Sequence, residues 1–334
     1  MIARPPARIG GPGGSRNVPA PAPHGPGAAT IPSMQTKRIP VAEGVELAAD
    51  TWAAAGADAR SRSAAAAGAG SRSTAGAPFV LVHGLASNAR LWDGVAEHLA
   101  AAGHSAVTVD LRGHGRSSKP DGPYDVPTVA DDLAALLERL AIDRPIIAGQ
   151  SWGGNVVLEL AARHPGAVRG IVCVDGGWLE PSRYFADLEA CLRALAPPRL
   201  VGRPLAEIEG YLRSTHRDWP ETSIRGALAN FEVRPDGTVA PWLTYERHLD
   251  VLRGLWEHRP SERYGAIPVP VLLAPADGGA ADRAARMRHD VETAAAAIPR
   301  ARVRWFVGDH DIHAQHPREL ADGMLDTAAD GFFA

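Results

Sequence analysis

The sequence predicts an α/β protein with a mostly parallel sheet, helices on both faces and a mostly helical insertion after the sixth strand. Three observations predict it. Short apolar runs alternate with longer stretches of helical spacing through residues 79–174 and again after 265, the signature of strand–helix–strand units. One unit, Pro145 to Leu158, reads as strand, tight turn and helix around Gly149-Gln-Ser151-Trp-Gly153. Between Gly177 and about Tyr264 the alternation stops, and much of the aromatic content collects there, including Trp178, Trp219, Trp242 and Trp256.

The elements follow in order. Residues 1–36 are rich in Pro, Gly, Ala and Arg without an apolar targeting core, and they read as a disordered tail. Met34 to Ile39 has the look of a natural opening. A core is expected over 37–177 and 265–334, with a strand at Val45–Trp52. Residues 54–77 are an Ala/Gly/Ser/Arg tract and read as a low-complexity loop. Next come a strand at Phe79–Val82, a helix near Arg90–Ala102, a strand at Ala106–Val109 and a helix from about Thr128 to Leu140. The serine-bearing strand and helix and a strand at Gly170–Val174 complete the first half. Residues 178–264 form the expected cap, with helical spacing at Arg183–Leu195 and Trp242–Leu255. A strand near Val269, a helix near Ala281–Ala297, a strand at Arg302–Phe306 and a helix from Pro317 close the chain.

The chemistry starts at Ser151. A serine between Gly149 and Gly153, on a turn between strand and helix, sits in a backbone conformation that neighbours tolerate only without side chains. The turn lifts the hydroxyl out of the strand end and aims the first helix amides at whatever is bonded to it. Serine is a weak nucleophile and needs a base held by a third group. Of thirteen histidines, His310 follows a late strand directly and is preferred over His313 and His316 on the same loop. Two aspartates end strands of the same edge: Asp175 after Gly170–Val174, and Asp277 after Val269–Pro275. Either can hold one tautomer of His310. Asp175 is favoured and Asp277 is kept open.

These motifs resemble the α/β-hydrolases with a serine nucleophile, over about residues 38–330. Phe79 to Leu85 resembles the family's strand and His-Gly turn, followed by Asn88 and Trp92; Asp110-Leu-Arg112-Gly113-His-Gly115-Arg-Ser117 resembles its Asp-x-Arg-Gly turn. Asp110 and Arg112 are read as structural. Gly308-Asp309-His310 departs from the usual Gly-x-Gly-His, and aligning the Val269 strand puts the usual acid position on Gly279, two residues past Asp277. The resemblance implies an oxyanion hole from the backbone N–H groups of Leu85 and Trp152. A pocket is expected near His83 and Gly84, with Trp178 lining it because it follows directly on the Asp175-Gly-Gly turn. The implied activity is cleavage of a small or medium carboxylic ester through an acyl-enzyme, without cofactor or metal. Two alternatives stay open: a carbon–carbon bond hydrolase of ring-cleavage products, and a receptor-like binding protein that retains the triad. A serine at the elbow argues against epoxide hydrolases and haloalkane dehalogenases, which need a carboxylate nucleophile. The turn also lacks the His-Gly-Gly-Pro run of proline iminopeptidases.

The 334 residues allow one large domain with a cap, and a formal charge of −3 gives no reason to expect nucleic acid or an anionic membrane as partner. No apolar run approaches the roughly 20 residues needed to span a bilayer. Cys173 and Cys191, the two cysteines, are expected as free thiols, which fits a cytoplasmic protein.

Overall fold

The computed structural model describes residues 34–55, 76–278 and 281–334. Most of the tail and of the low-complexity tract, and Gly279, lie outside the described residues. Met34–Thr36, counted with the tail in the sequence, lie in a strand. Met34–Ala42 is already strand β1, paired antiparallel with β2 (Val45–Trp52) from Met34 opposite Trp52 onward. Thr36 donates to the buried Asp50 carboxylate at 2.5 Å, so residues 34–36 have partners that composition did not show.

Eight strands form one sheet in the order β1-β2-β4-β3-β5-β6-β9-β10. Strands β3 (Phe79–Val82), β4 (Ala106–Asp110), β5 (Ile146–Gln150), β6 (Gly170–Val174), β9 (Val271–Ala274) and β10 (Ala301–Val303) run parallel; only β1 and β2 are antiparallel to their neighbours. The central strands are buried at every position, which is why they read as continuous apolar runs. Successive side chains go to opposite faces. Val80, Val82 and Ile147 pack under α2 (Val126–Arg139), α3 (Trp152–Arg163) and α8 (Ala281–Ala297). Phe79, Leu81, Ile146 and Ala148 pack under α1 (Asp93–Ala101) and α9 (Pro317–Ala329). The result is three layers with a core on each face.

Helix boundaries follow local chemistry. Asp125 caps α2 by accepting from the Thr128 N–H at 2.9 Å, with Pro127 in the first turn, so the helix starts two residues before the expected Thr128. The expected strand Arg302–Phe306 is regular only over Ala301–Val303; beyond it Arg304 and Phe306 still donate to the Leu273 and Pro275 carbonyls, both at 2.9 Å, and an isolated bridge pairs Ala276 with Phe306. The Asp110–Ser117 turn is structural, as expected. Arg112 makes a bidentate pair with Asp132 of α2 at 2.5 and 2.7 Å, both side chains being buried. Asp110 accepts from Ala89 N–H at 2.7 Å and from Arg116 at 2.9 Å.

The cap between β6 and β9 carries α4 (Leu188–Leu195), α5 (Leu205–Thr215), α6 (Glu221–Leu228) and α7 (Tyr245–Glu257). It also holds a small antiparallel hairpin, β7 (Phe231–Val233) with β8 (Val239–Pro241). Its apolar core of Ile208, Leu212, Trp219, Ile224, Phe231 and Val239 extends onto Leu91 and Ala314 of the body. Polar ties reinforce the seam: Ser223 donates to the Ala314 carbonyl at 2.7 Å, and Asn88 to that of Gly226 at 2.8 Å. Among the described residues no helix is long and apolar enough to cross a membrane.

Candidate active site

Ser151 stands between β5 and α3, as the N-cap of the helix, with φ +54° and ψ −122°, a conformation that disfavours any residue with a Cβ. The surrounding glycines are required by contact. A Cβ on Gly149 would lie 2.2 Å from the Gly153 carbonyl oxygen, and one on Gly153 would lie 2.4 Å from that of His83. The Ser151 N–H is anchored to the Val174 carbonyl at 2.9 Å, so the elbow is braced against the next strand. Trp152 is fully buried, and as the first residue of α3 its N–H has no carbonyl one turn earlier to bond.

On the other side of Ser151 lies the β3 turn. A Cβ on Gly84 would meet Gln150 Oε1 at 2.3 Å and Ser151 Cβ at 3.0 Å, so only glycine lets the turn that carries Leu85 approach this closely. His83, expected to line the pocket, instead builds the turn. Its Nε2 accepts from the Leu111 N–H at 2.9 Å, which leaves the proton on Nδ1 to be donated to the Gly84 carbonyl at 2.7 Å. Both ring nitrogens are thereby used within the protein. Trp178 is buried in the main hydrophobic cluster, with Leu85 at its edge.

His310 meets Asp175, not Asp277. His310 Nδ1 lies 2.5 Å from Asp175 Oδ2, and Asp175 is 3% exposed. The other carboxylate oxygen of Asp175 accepts from the Ala276 N–H at 3.1 Å, which fixes the rotamer. Asp175 itself adopts φ +42°, a second strained position beside the first. The Asp277 side chain is exposed on a turn held by its backbone, N–H to the Phe306 carbonyl at 2.9 Å. His313 is fully buried against Trp92, ring centroids 4.6 Å apart.

One supporting residue went unnoticed in the sequence, and another stood out there only as a departure from the usual motif. Gln150, the last residue of β5, donates to the His310 carbonyl at 3.0 Å and bolts the histidine loop to the strand that leads into Ser151. Asp309, standing where a glycine was expected, accepts from the Asp311 N–H at 2.9 Å, and its own N–H donates to Gln315 Oε1 at 2.7 Å. A polar residue ending an otherwise apolar strand was the available signal for Gln150. The arrangement puts a hydroxyl, an imidazole with an oriented tautomer and two candidate amide donors at the carboxyl ends of parallel strands, where open α/β sheets bind ligands.

A family model described as the alpha/beta hydrolase fold matches residues 77–317. The chain belongs to this α/β-hydrolase family. The 2-(acetamidomethylene)succinate hydrolase of Mesorhizobium japonicum is 29% identical over 185 residues, 55% of this chain and 65% of that protein. An AB hydrolase superfamily protein of Bacillus subtilis is 37% identical over 92 residues, 28% of this chain and 34% of that one. The matches thus span less than two thirds of these relatives' lengths. The crystal structure of E-2-(acetamidomethylene)succinate hydrolase superposes with a TM-score of 0.68 at 21% identity, covering 88% of this chain and 98% of that one.

The body and the cap also bury imidazoles that stay neutral. Burial lowers the pKa of His83, His313 and His248 to about 4 each. Between about pH 6.5 and 4 the unfolded chain therefore binds more protons than the folded one, and stability falls with pH at about 1.4 kcal/mol per unit per histidine. His114, also fully buried, is held well below its ordinary value, so Asp93, pushed up to about 6 mainly by burial and working the opposite way below pH 6, is one group against four. Urea unfolding at pH 6.5 and pH 5 is expected to differ by on the order of 4–5 kcal/mol. A flat profile would mean that these rings ionise inside the fold.

Proposed function

We propose that the chain is a serine hydrolase of small or medium carboxylic esters. Ser151 Oγ attacks the acyl carbon while His310 Nε2 takes its proton, and the same proton passes to the departing alkoxide. Asp175 holds the proton of His310 on Nδ1 and stabilises the imidazolium formed during attack. The Leu85 and Trp152 N–H groups receive the oxyanion, at about 3–4 kcal/mol of transition-state stabilisation for each donor. Water, deprotonated by His310, then releases the acid. The observation that carries this reading is the His310–Asp175 hydrogen bond at the rim that also carries Ser151 in its strained turn. No step requires a cofactor or metal. Cys173 and Cys191, both buried free thiols, suit a reducing compartment such as the cytoplasm.

A second reading, cleavage of an acyl–nitrogen bond by the same groups, is favoured by the acetamido group in the name of the Mesorhizobium relative's substrate. The test combines intact mass after a fluorophosphonate with turnover of p-nitrophenyl esters of graded acyl length and of p-nitroacetanilide. A single adduct on Ser151 with ester turnover supports the first reading, and anilide turnover exceeding that of esters supports the second. No adduct and no turnover overturns both.

A further inference from the structure

The neck of the cap is sewn to the nucleophile helix by a buried polar chain that the proposed catalytic steps do not use. Asn155 lies four residues past Ser151 on α3 and is fully buried. Its Oδ1 accepts from the Gly177 and Leu179 N–H groups at 3.0 and 3.3 Å, and its Nδ2 donates to the Leu179 carbonyl at 2.7 Å. Those bonds fix which end of the amide is which. Nδ2 therefore presents its second hydrogen to His258 Nδ1 at 3.1 Å, so that ring nitrogen must accept. The proton of a neutral His258 then sits on Nε2, which faces Glu159 Oε2 at 3.2 Å; Arg263 donates to the same oxygen at 3.1 Å. Gly177 to Leu179 is the segment leaving the body for the cap, and His258 to Arg263 belongs to the segment returning from it. A further bond, Ser261 to Glu180 at 2.8 Å, ties the two segments together.

The outgoing segment also touches the proposed chemistry. It begins at Asp175, and a Cβ on Gly176 would lie 2.1 Å from the Ser151 carbonyl oxygen. A Cβ on Gly154 would lie 2.6 Å from the Gly177 nitrogen. Displacement of residues 176–179 therefore reaches both the nucleophile and the acid.

We propose that Asn155 and His258 are positioning residues that hold the cap neck against the nucleophile helix, and that protonation of His258 loosens this hold. The proposal rests on the hydrolase reading for its consequence, but not for its geometry. A protonated ring carries hydrogens on both nitrogens, so Nδ1–H would confront Asn155 Nδ2–H and an attraction would become a repulsion. The groups facing His258 come from every adjoining element. Glu159 and, one turn on, Arg163 belong to α3; Glu257 ends α7; Arg259, Glu262 and Arg263 lie on the return segment. Asp125 caps α2, and Glu180 stands on the outgoing segment. Protons have a path, because a groove of about 340 Å³ is lined by Asp125, Glu257, His258, Arg259, Glu262 and Arg263. Burial opposes ionisation of Glu159, but the His258 hydrogen bond with Arg263 and Arg163 keeps its pKa below the ordinary value, so the carboxylate remains to receive the extra charge.

The test is amide hydrogen exchange of the full chain between pH 8 and 5, corrected for intrinsic exchange rates. Protection of the Gly177 and Leu179 amides is expected to fall about tenfold, as one buried hydrogen bond is lost, with a one-proton midpoint. The amides of Ile146–Gln150 serve as the internal reference for global stability. In His258→Gln the side-chain oxygen accepts from Asn155 and the amide donates to Glu159, so protection should become independent of pH. Asn155→Asp keeps the acceptor for Gly177 and Leu179 but sets a second acceptor against His258, so it should be better protected at pH 5 than at pH 8. In turnover of p-nitrophenyl butyrate, KM should rise toward acid in the wild type and not in His258→Gln. Equal neck protection at both pH values in the wild type, or the same pH dependence in His258→Gln, overturns the proposal. Exchange is read without turnover, so a failed hydrolase assignment would remain distinguishable from a failed neck.

Discussion

Ser151→Ala is expected to lower kcat for a p-nitrophenyl ester by about 10⁴- to 10⁶-fold, leaving only what binding and the oxyanion donors contribute. The prediction is clean because alanine changes little else. Ser151 holds φ +54° with a Cβ already present, so alanine neither relieves nor adds backbone strain. Its N–H bond to the Val174 carbonyl is main chain and survives. The variant should therefore unfold within about 0.5 kcal/mol of the wild type, the range of substitutions that touch no structural contact. Near-normal turnover by a correctly folded Ser151→Ala protein would exclude Ser151 as nucleophile.

Asp175→Asn is expected to cost about 10⁴-fold in kcat, and Asp277→Asn less than about twofold. Asparagine preserves the shape of the site and its carbonyl can still accept from the Ala276 N–H, as the carboxylate does at 3.1 Å. The amide then turns a donor toward His310 Nδ1, where the carboxylate lies at 2.5 Å. The ring must answer with the tautomer protonated on Nε2, which cannot take the Ser151 proton. Asp277, exposed and anchored through its backbone, has no such consequence. Comparison of kcat for both variants, with the fold checked by circular dichroism, decides the matter. A large loss in Asp277→Asn with little in Asp175→Asn would reverse the assignment.

Much of this was legible because it is local. The Gly149–Gly153 spacing fixes a turn that only small neighbours permit, and the apolar runs at Phe79, Ile146 and Gly170 mark strands buried on both faces. His310 could be picked from thirteen histidines by its place after a strand. The last strand is regular only to Val303, although Arg304 and Phe306 still bond to the neighbouring segment, so its end is not marked by any change in composition. The beginning of β1 was missed because Met34–Thr36 owes its conformation to pairing with β2.

The sequence by itself determined the layered α/β architecture, the serine elbow and the order along the chain of Ser151, the two aspartates and His310. These depend on side-chain period and backbone sterics, which act between residues close in the chain. Tertiary structure alone decided that Asp175 rather than Asp277 meets His310, that His83 spends both nitrogens on its own turn, and that Asn155 reaches His258. Asp175 and His310 are 135 residues apart, and Asn155 and His258 are 103 apart. Contacts at such separations are set by sheet order and by the path of the cap, and no local pattern encodes which of two equally placed carboxylates the fold will bury beside the imidazole.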